Sequence, residues 1–173
     1  MVDPESGTPR PTGEVGMIEV RGPNVFAGYW QAPERTAADM REDGYFVTGD
    51  VGSISADGYV TIVGRAKDLV ITGGLNVYPK EVELVLDALD GVHESAVVGV
   101  PDADLGEAVV AVVVAEAGAT IDPTGIRTEA RRRLAGFKVP KWIVVADALP
   151  RNAMGKVEKA RLRADLASDD QRP

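Results

Sequence analysis

A chain of 173 residues, 45 % of them hydrophobic and 27 % charged, is long enough for one well-packed domain or two small ones, and too apolar for disorder. With no cysteine and a single histidine, His93, it excludes disulfides, thiolate metal centres, a cysteine nucleophile and a histidine-rich metal site. A formal net charge of −8 argues against general nucleic-acid binding. The charge is unevenly spread: from Arg127 to Arg163, 11 Lys and Arg face only Glu129, Asp147 and Glu158. A basic stretch in an acidic chain suits a small polyanion, whose phosphates it can attract. For Arg131, Arg132 and Arg133 the plainer reading is that they complement the C-terminal dipole of a helix.

In chain order, the opening MVDPESGTPRPTGE is polar and turn-rich, unlike a signal peptide. EVGMIEV predicts a strand with Val15, Met17 or Ile18, and Val20 as inward candidates. PERTAADM predicts a short helix with Pro33 at its first position. Two β-prone runs follow around SADG, where Asp57 and Gly58 supply a hairpin turn. Residues 1–63 therefore read as a β-rich segment unable to bury a large core alone.

The pattern changes after Gly64. DLVIT is a short strand, Gly73 to Asn76 a turn, and Pro79 opens a helix that Gly91 stops. Val82, Val85, Leu86 and Leu89 give that helix one apolar face, with Glu81 and Glu83 near its positive end. SAVVGV and EAVVAVVVA are strands separated by the PDADLG turn; the run Ala108–Ala115 is far short of the roughly 18 residues of a membrane span. Asp122 and Pro123 suit the N-cap and first position of a helix ending before Gly136. KWIVVA predicts a strand, and Gly155 onward a final basic helix. Strands interleaved with helices indicate an α+β domain. Trp30 and Trp142 read as core anchors, and His93 as a surface or capping residue.

Three stretches carry chemistry: YFVTGDVG, GRAKDLVITGGLNVYPKEVE and LPRNAMGKVEK. Each alone has a dull explanation, as a turn, a flexible loop or a helix start. GK in the last is not a phosphate loop, since Pro150 and Val157 stand where Gly and Ser or Thr are required. In this order and spacing, the three resemble the closing motifs of the acyl-adenylate-forming superfamily, over about Gly13 to Leu166. GGLNVYPKEVE and AVVGVPDADLGE look most like acyl-CoA synthetases, with malonate- or methylmalonate-type ligases among the nearer impressions.

The resemblance implies a fold and a set of roles. Residues 1–63 would be a partial, barrel-like β-subdomain of a larger N-terminal domain, 64–67 a hinge, 68–167 an α+β lid and 168–173 a tail. Asp50 would bind the ribose hydroxyls of ATP or AMP, an ionised carboxylate being able to accept from two O–H donors. Arg65 would contact ribose and phosphate oxygens with its permanently charged fork. Lys67 would mark the hinge, where its backbone torsions matter more than its charge. Gly73 and Gly74 would line the path of the CoA pantetheine arm. Lys156 would be catalytic, offsetting repulsion between a carboxylate and the α-phosphate it attacks. Thr48, Tyr78, Asp102 and Glu107 read as structural.

ATP, Mg²⁺ and CoA are the implied cosubstrates, with no prosthetic group and no metal ligand set of the chain's own. The implied partners are the N-terminal portion of a longer enzyme, a carboxylic acid, and CoA or a carrier protein. Length departs from the family, because the upstream phosphate loop and acyl pocket are missing. The expectation is a fragment, a separately made domain or part of a split protein, inert alone and of cytoplasmic origin. A non-catalytic binding module is the remaining alternative.

Overall fold

A computed structural model of the chain describes residues 1–4 and 6–167. It divides into two units, Met1–Lys67 and Asp68–Pro173. The tail assigned to 168–173 lies outside the described residues.

The first unit is an open antiparallel sheet in the order β1 (Gly16–Val20), β2 (Phe46–Ile54), β3 (Val60–Arg65), with helix α1 (Pro33–Asp39) between β1 and β2 in sequence. Pro33 does stand at the start of α1. Gly58, at φ +88°, makes the hairpin turn by donating its N–H to the Ser55 carbonyl at 2.9 Å. Val51 is the one buried large apolar side chain of this unit among the described residues, so the core is as small as the sequence suggested. Two inward assignments fail for that reason. Val20 is exposed, beyond a register shift between Met17 and Glu19, and Trp30 is 88 % exposed because this unit offers no interior for an indole.

Gly52 lies at a close backbone approach, where an added Cβ would sit 2.4 Å from the Thr61 carbonyl oxygen. Because that obstacle is backbone, Gly52→Ala must break the β2–β3 ladder locally. We expect thermal unfolding of the first unit at a lower temperature, by at least the ~1–3 kcal/mol of a typical overpacking change.

The second unit is built on a five-stranded sheet. Strands β5 (Leu75–Val77), β4 (Val70–Thr72), β7 (Gly106–Ala115) and β6 (Val92–Asp102) run in that order, and β8 (Trp142–Ala146) adds to β7 in parallel. β6 and β7 form a long antiparallel ladder of near-continuous valine and alanine, the composition of strands covered on both faces. The period of two sorts their side chains. Val97, Val109, Ala111 and Val113 meet helices α2 (Pro79–Leu86) and α3 (Pro123–Arg133) in one cluster, while Val98, Val110 and Val112 meet Trp142 and helix α4 (Lys159–Ala167) in another.

Local signals explain the helix starts. Tyr78 is extended and Pro79 occupies the first turn of α2, whose Val82, Leu86 and following Leu89 are buried. The Asp122 carboxylate accepts the N–H groups of Thr124 and Gly125 at the start of α3, and Arg131, Arg132 and Arg133 fill its last turn, as the dipole reading expected. Three boundaries differ from expectation. Helix α2 ends at Leu86 rather than running on to Gly91. Leu75 and Asn76 belong to β5, so the turn is confined to Gly73 and Gly74. The last helix begins at Lys159 rather than Gly155, because Gly155 takes φ +76° and the chain is diverted through a hairpin.

The outer edge of β6 is satisfied by side chains. Glu83 on α2 accepts the Val97 N–H at 3.0 Å, and Arg163 on α4 donates to the Gly99 carbonyl at 3.1 Å. Charged groups thus occupy backbone positions that a further strand would otherwise take.

Candidate active site

In the first unit, Asp50 and Arg65 are directly opposite one another on β2 and β3, and Arg65 Nε lies 2.7 Å from Asp50 Oδ1. The turn before Asp50 is locked by Thr48, whose hydroxyl donates to the Ile18 carbonyl at 2.8 Å and accepts the Asp50 N–H at 3.0 Å. Gly49 supplies φ +73° at that turn. Asp50 is only partly exposed, and an ionised carboxylate has more acceptor sites than one ion pair fills, so it offers acceptor capacity beside a fixed positive charge. An open cleft next to the pair is lined by Tyr29, Arg35, Thr48, Gly49, Arg65 and Lys67. Lys67 itself is exposed in the short 3₁₀ turn Ala66–Asp68 and is the last residue of the first unit.

Lys156 belongs to the second unit and sits on a tight hairpin. Arg151 and Val157 form an isolated bridge, and the Asn152 side-chain oxygen accepts the N–H groups of both Met154 and Lys156 at 3.0 Å. Arg151 donates to the Gly155 carbonyl at 2.7 Å and is ion-paired to Glu94 at the start of β6. The Lys156 backbone is therefore fixed, while its exposed ammonium makes no hydrogen bond or ion pair with a described residue. This differs from the helix-start position that the sequence suggested.

Gly73 and Gly74 form the β4–β5 turn with φ +56° and +78°. A Cβ on Gly74 would meet nothing within 4 Å, so backbone conformation rather than crowding within the chain requires glycine there. The Gly73 N–H donates to the Leu105 carbonyl at 2.8 Å, which ties this turn to the loop joining β6 and β7. Glu94 and that loop stand at opposite ends of the β6–β7 ladder, so the Lys156 hairpin and the glycine turn are far apart within the second unit.

Three acidic groups of the second unit are engaged by partners within it. Glu107 accepts the Ile71 N–H at 2.8 Å. Glu83, 5 % exposed, pairs with Lys159 at 2.5 Å, a contact across 76 positions that gave no sequence signal. Asp102 pairs with Lys141 at 2.5 Å and accepts the N–H groups of Asp104 and Leu105.

The Lys141 hydrogen bond holds the Asp102 carboxyl below its ordinary 3.8, against the opposing effect of burial and with help from the two N–H groups. A carboxyl whose folded value is depressed stabilises the fold above its unfolded value and loses that contribution as pH falls through the folded one. We therefore expect the urea midpoint of the second unit to be insensitive to Asp102 ionisation at neutral pH and to decline below about pH 4. Asp102→Asn should lower the midpoint at pH 7 and flatten that acid decline; an unchanged acid profile would contradict this.

Among the described residues, no group of three or more His, Cys, Asp or Glu is placed to hold a metal ion, and no helix is long and apolar enough to cross a membrane.

Residues 81–156 match the family model of the AMP-binding enzyme C-terminal domain. Feruloyl-CoA synthase of an Amycolatopsis species is 49 % identical over 91 % of this chain and 32 % of its own length. The crystal structure of ATP-bound MatB from Rhodopseudomonas palustris superposes with a TM-score of 0.90 at 56 % identity, over 96 % of this chain and 33 % of that one. The amide bond synthetase McbA from Marinactinospora thermotolerans gives 0.89 at 39 %, over 95 % and 33 %. Over residues 81–156 the chain is similar to AMP-binding enzyme C-terminal domains, and over most of its length to part of the CoA ligases named above. It spans about a third of the length of the curated relatives it matches.

Proposed function

We propose that the chain works as the C-terminal part of an ATP-dependent carboxylate–CoA ligase, which first forms an acyl-adenylate and then a thioester. The observation that carries this reading is the Lys156 hairpin, a pre-ordered turn presenting an ammonium with no counter-ion among the described residues. Adenylation brings a carboxylate against the α-phosphate of ATP and expels pyrophosphate. A positive group already in place lowers the repulsion between the two anions and needs no proton transfer. Asp50 and Arg65 would take the ribose hydroxyls and adjoining oxygens, and Mg²⁺ would arrive with the phosphates of ATP. Lys67 would serve as the hinge, with Gly73 and Gly74 beside the arm of the acceptor thiol. The separation of Lys156 from the glycine turn supports two half-reactions served by two ends of one unit.

These 173 residues would not activate an acid unaided, since the acyl pocket and phosphate loop of this reading are not among them. The test is ATP–pyrophosphate exchange against a panel of carboxylic acids, with and without a separately produced N-terminal portion. Exchange that appears on mixing supports the reading. Absence of exchange with every acid under complementation would favour a non-catalytic module. Similarity to an amide bond synthetase keeps a second acceptor in view. Supplying CoA, a carrier protein or an amine after adenylation separates these outcomes.

A further inference from the structure

The Gly73–Gly74 turn projects from a short hairpin, and β4 joins β7 by a single pairing, Thr72 with Gly106. The Leu105 carbonyl accepts the Gly73 N–H, and the Leu105 side chain would lie 3.7 Å from a Cβ at Gly73. Leu105 is in turn held by Asp102. One carboxylate oxygen accepts the N–H groups of Asp104 and Leu105, both at 3.2 Å, and the other accepts from Lys141 Nζ at 2.5 Å. Lys141 is anchored at the start of β8, where its own N–H donates to the Val109 carbonyl at 2.8 Å. The contacts therefore run in one line from the central ladder to the glycine turn.

We infer that Lys141 and Asp102 are positioning residues for the Gly73–Gly74 turn, acting through Leu105, and that they govern the acceptor half-reaction rather than adenylation. The second clause rests on the proposed ligase function; the first does not. In that half-reaction the acceptor sulfur bonds to the acyl carbon, the bond to AMP breaks, AMP leaves and the thiol proton passes to water. A turn displaced by a fraction of an ångström changes the approach of the sulfur but leaves the attack on ATP untouched.

The positioning clause is tested on the 173-residue chain by amide hydrogen exchange. Lys141→Met, at a side chain 44 % exposed, should speed exchange at Gly73 by about tenfold, the worth of one net hydrogen bond, while β6–β7 ladder amides keep their protection. Lys141→Arg should restore it. Asp102→Ala should act in the same direction, and Lys141→Met decides the matter if that variant loosens the whole unit. Unchanged exchange at Gly73 overturns the inference. The functional clause is tested with the N-terminal portion supplied. Lys141→Met should slow thioester formation from added acyl-adenylate about tenfold and leave pyrophosphate exchange near wild type. Equal effects on the two half-reactions overturn it. If the wild type catalyses neither, the ligase reading fails while the Gly73 exchange result still decides the positioning.

Discussion

Lys156→Ala is expected to slow adenylation by about 10²- to 10³-fold, the range for removing one pre-placed electrostatic donor from a reacting oxyanion. Thioester formation from supplied acyl-adenylate should stay close to wild type. The asymmetry follows from the charge inventory. Two anions meet in the first half-reaction, whereas in the second a thiol meets an acyl group already activated. The hairpin would survive the substitution, because its order comes from backbone N–H groups bound by Asn152 and from Arg151, not from the lysine side chain. Pyrophosphate exchange and thioester release, measured on the same preparation of chain plus N-terminal portion, provide the comparison. A similar loss in both would show that Lys156 acts on folding or nucleotide affinity instead.

The largest expected effect on stability lies at Glu83. Its carboxylate takes the Val97 N–H at 3.0 Å and Lys159 Nζ at 2.5 Å, with Lys80 at 4.0 Å. Glu83→Ala leaves a strand N–H unsatisfied and strands Lys159, whose side chain is 21 % exposed. Breaking such a pair from one side costs about 3 kcal/mol, most of it the penalty for the partner left behind. Urea unfolding should register that loss as a lower midpoint at unchanged slope. Glu81→Ala makes a useful contrast: it strands a lysine as buried as Lys159, Lys138 at 22 % exposed, but Glu81 is itself 37 % exposed and its loss leaves no strand N–H unsatisfied, so it should cost less, about 1 kcal/mol. Near-equal costs for the two variants would remove the special status given to Glu83.

Glu83 also illustrates what the sequence could and could not convey. At the positive end of a helix opened by Pro79, a glutamate has a sufficient local explanation, and nothing nearby announces a lysine 76 positions away. Features written in local periodicity were legible: the valine ladder of β6 and β7, the Asp122 cap, the Gly58 turn and the α+β class. Features set by a single backbone irregularity were not. The register shift between Met17 and Glu19 turned Val20 outward, and the positive φ of Gly155 replaced a helical start with the Lys156 hairpin. Asp50 and Arg65 were recognisable as motif residues. Their direct opposition depends on a further shift between Val51 and Gly52, which no count along the strands reveals.

The β6–β7 ladder holds two turns of the second unit far apart. From Glu94, which holds the Lys156 hairpin, to Asp102, which holds the glycine turn, the strand spans roughly 26 Å at about 3.3 Å per residue. Substitutions that far apart, with no shared neighbours, have nearly independent energetic effects. Under the proposed function, selection could then remodel the glycine-turn end of the unit without disturbing its Lys156 end. The same fold is shared with an amide bond synthetase, so one scaffold serves proteins of different printed activities.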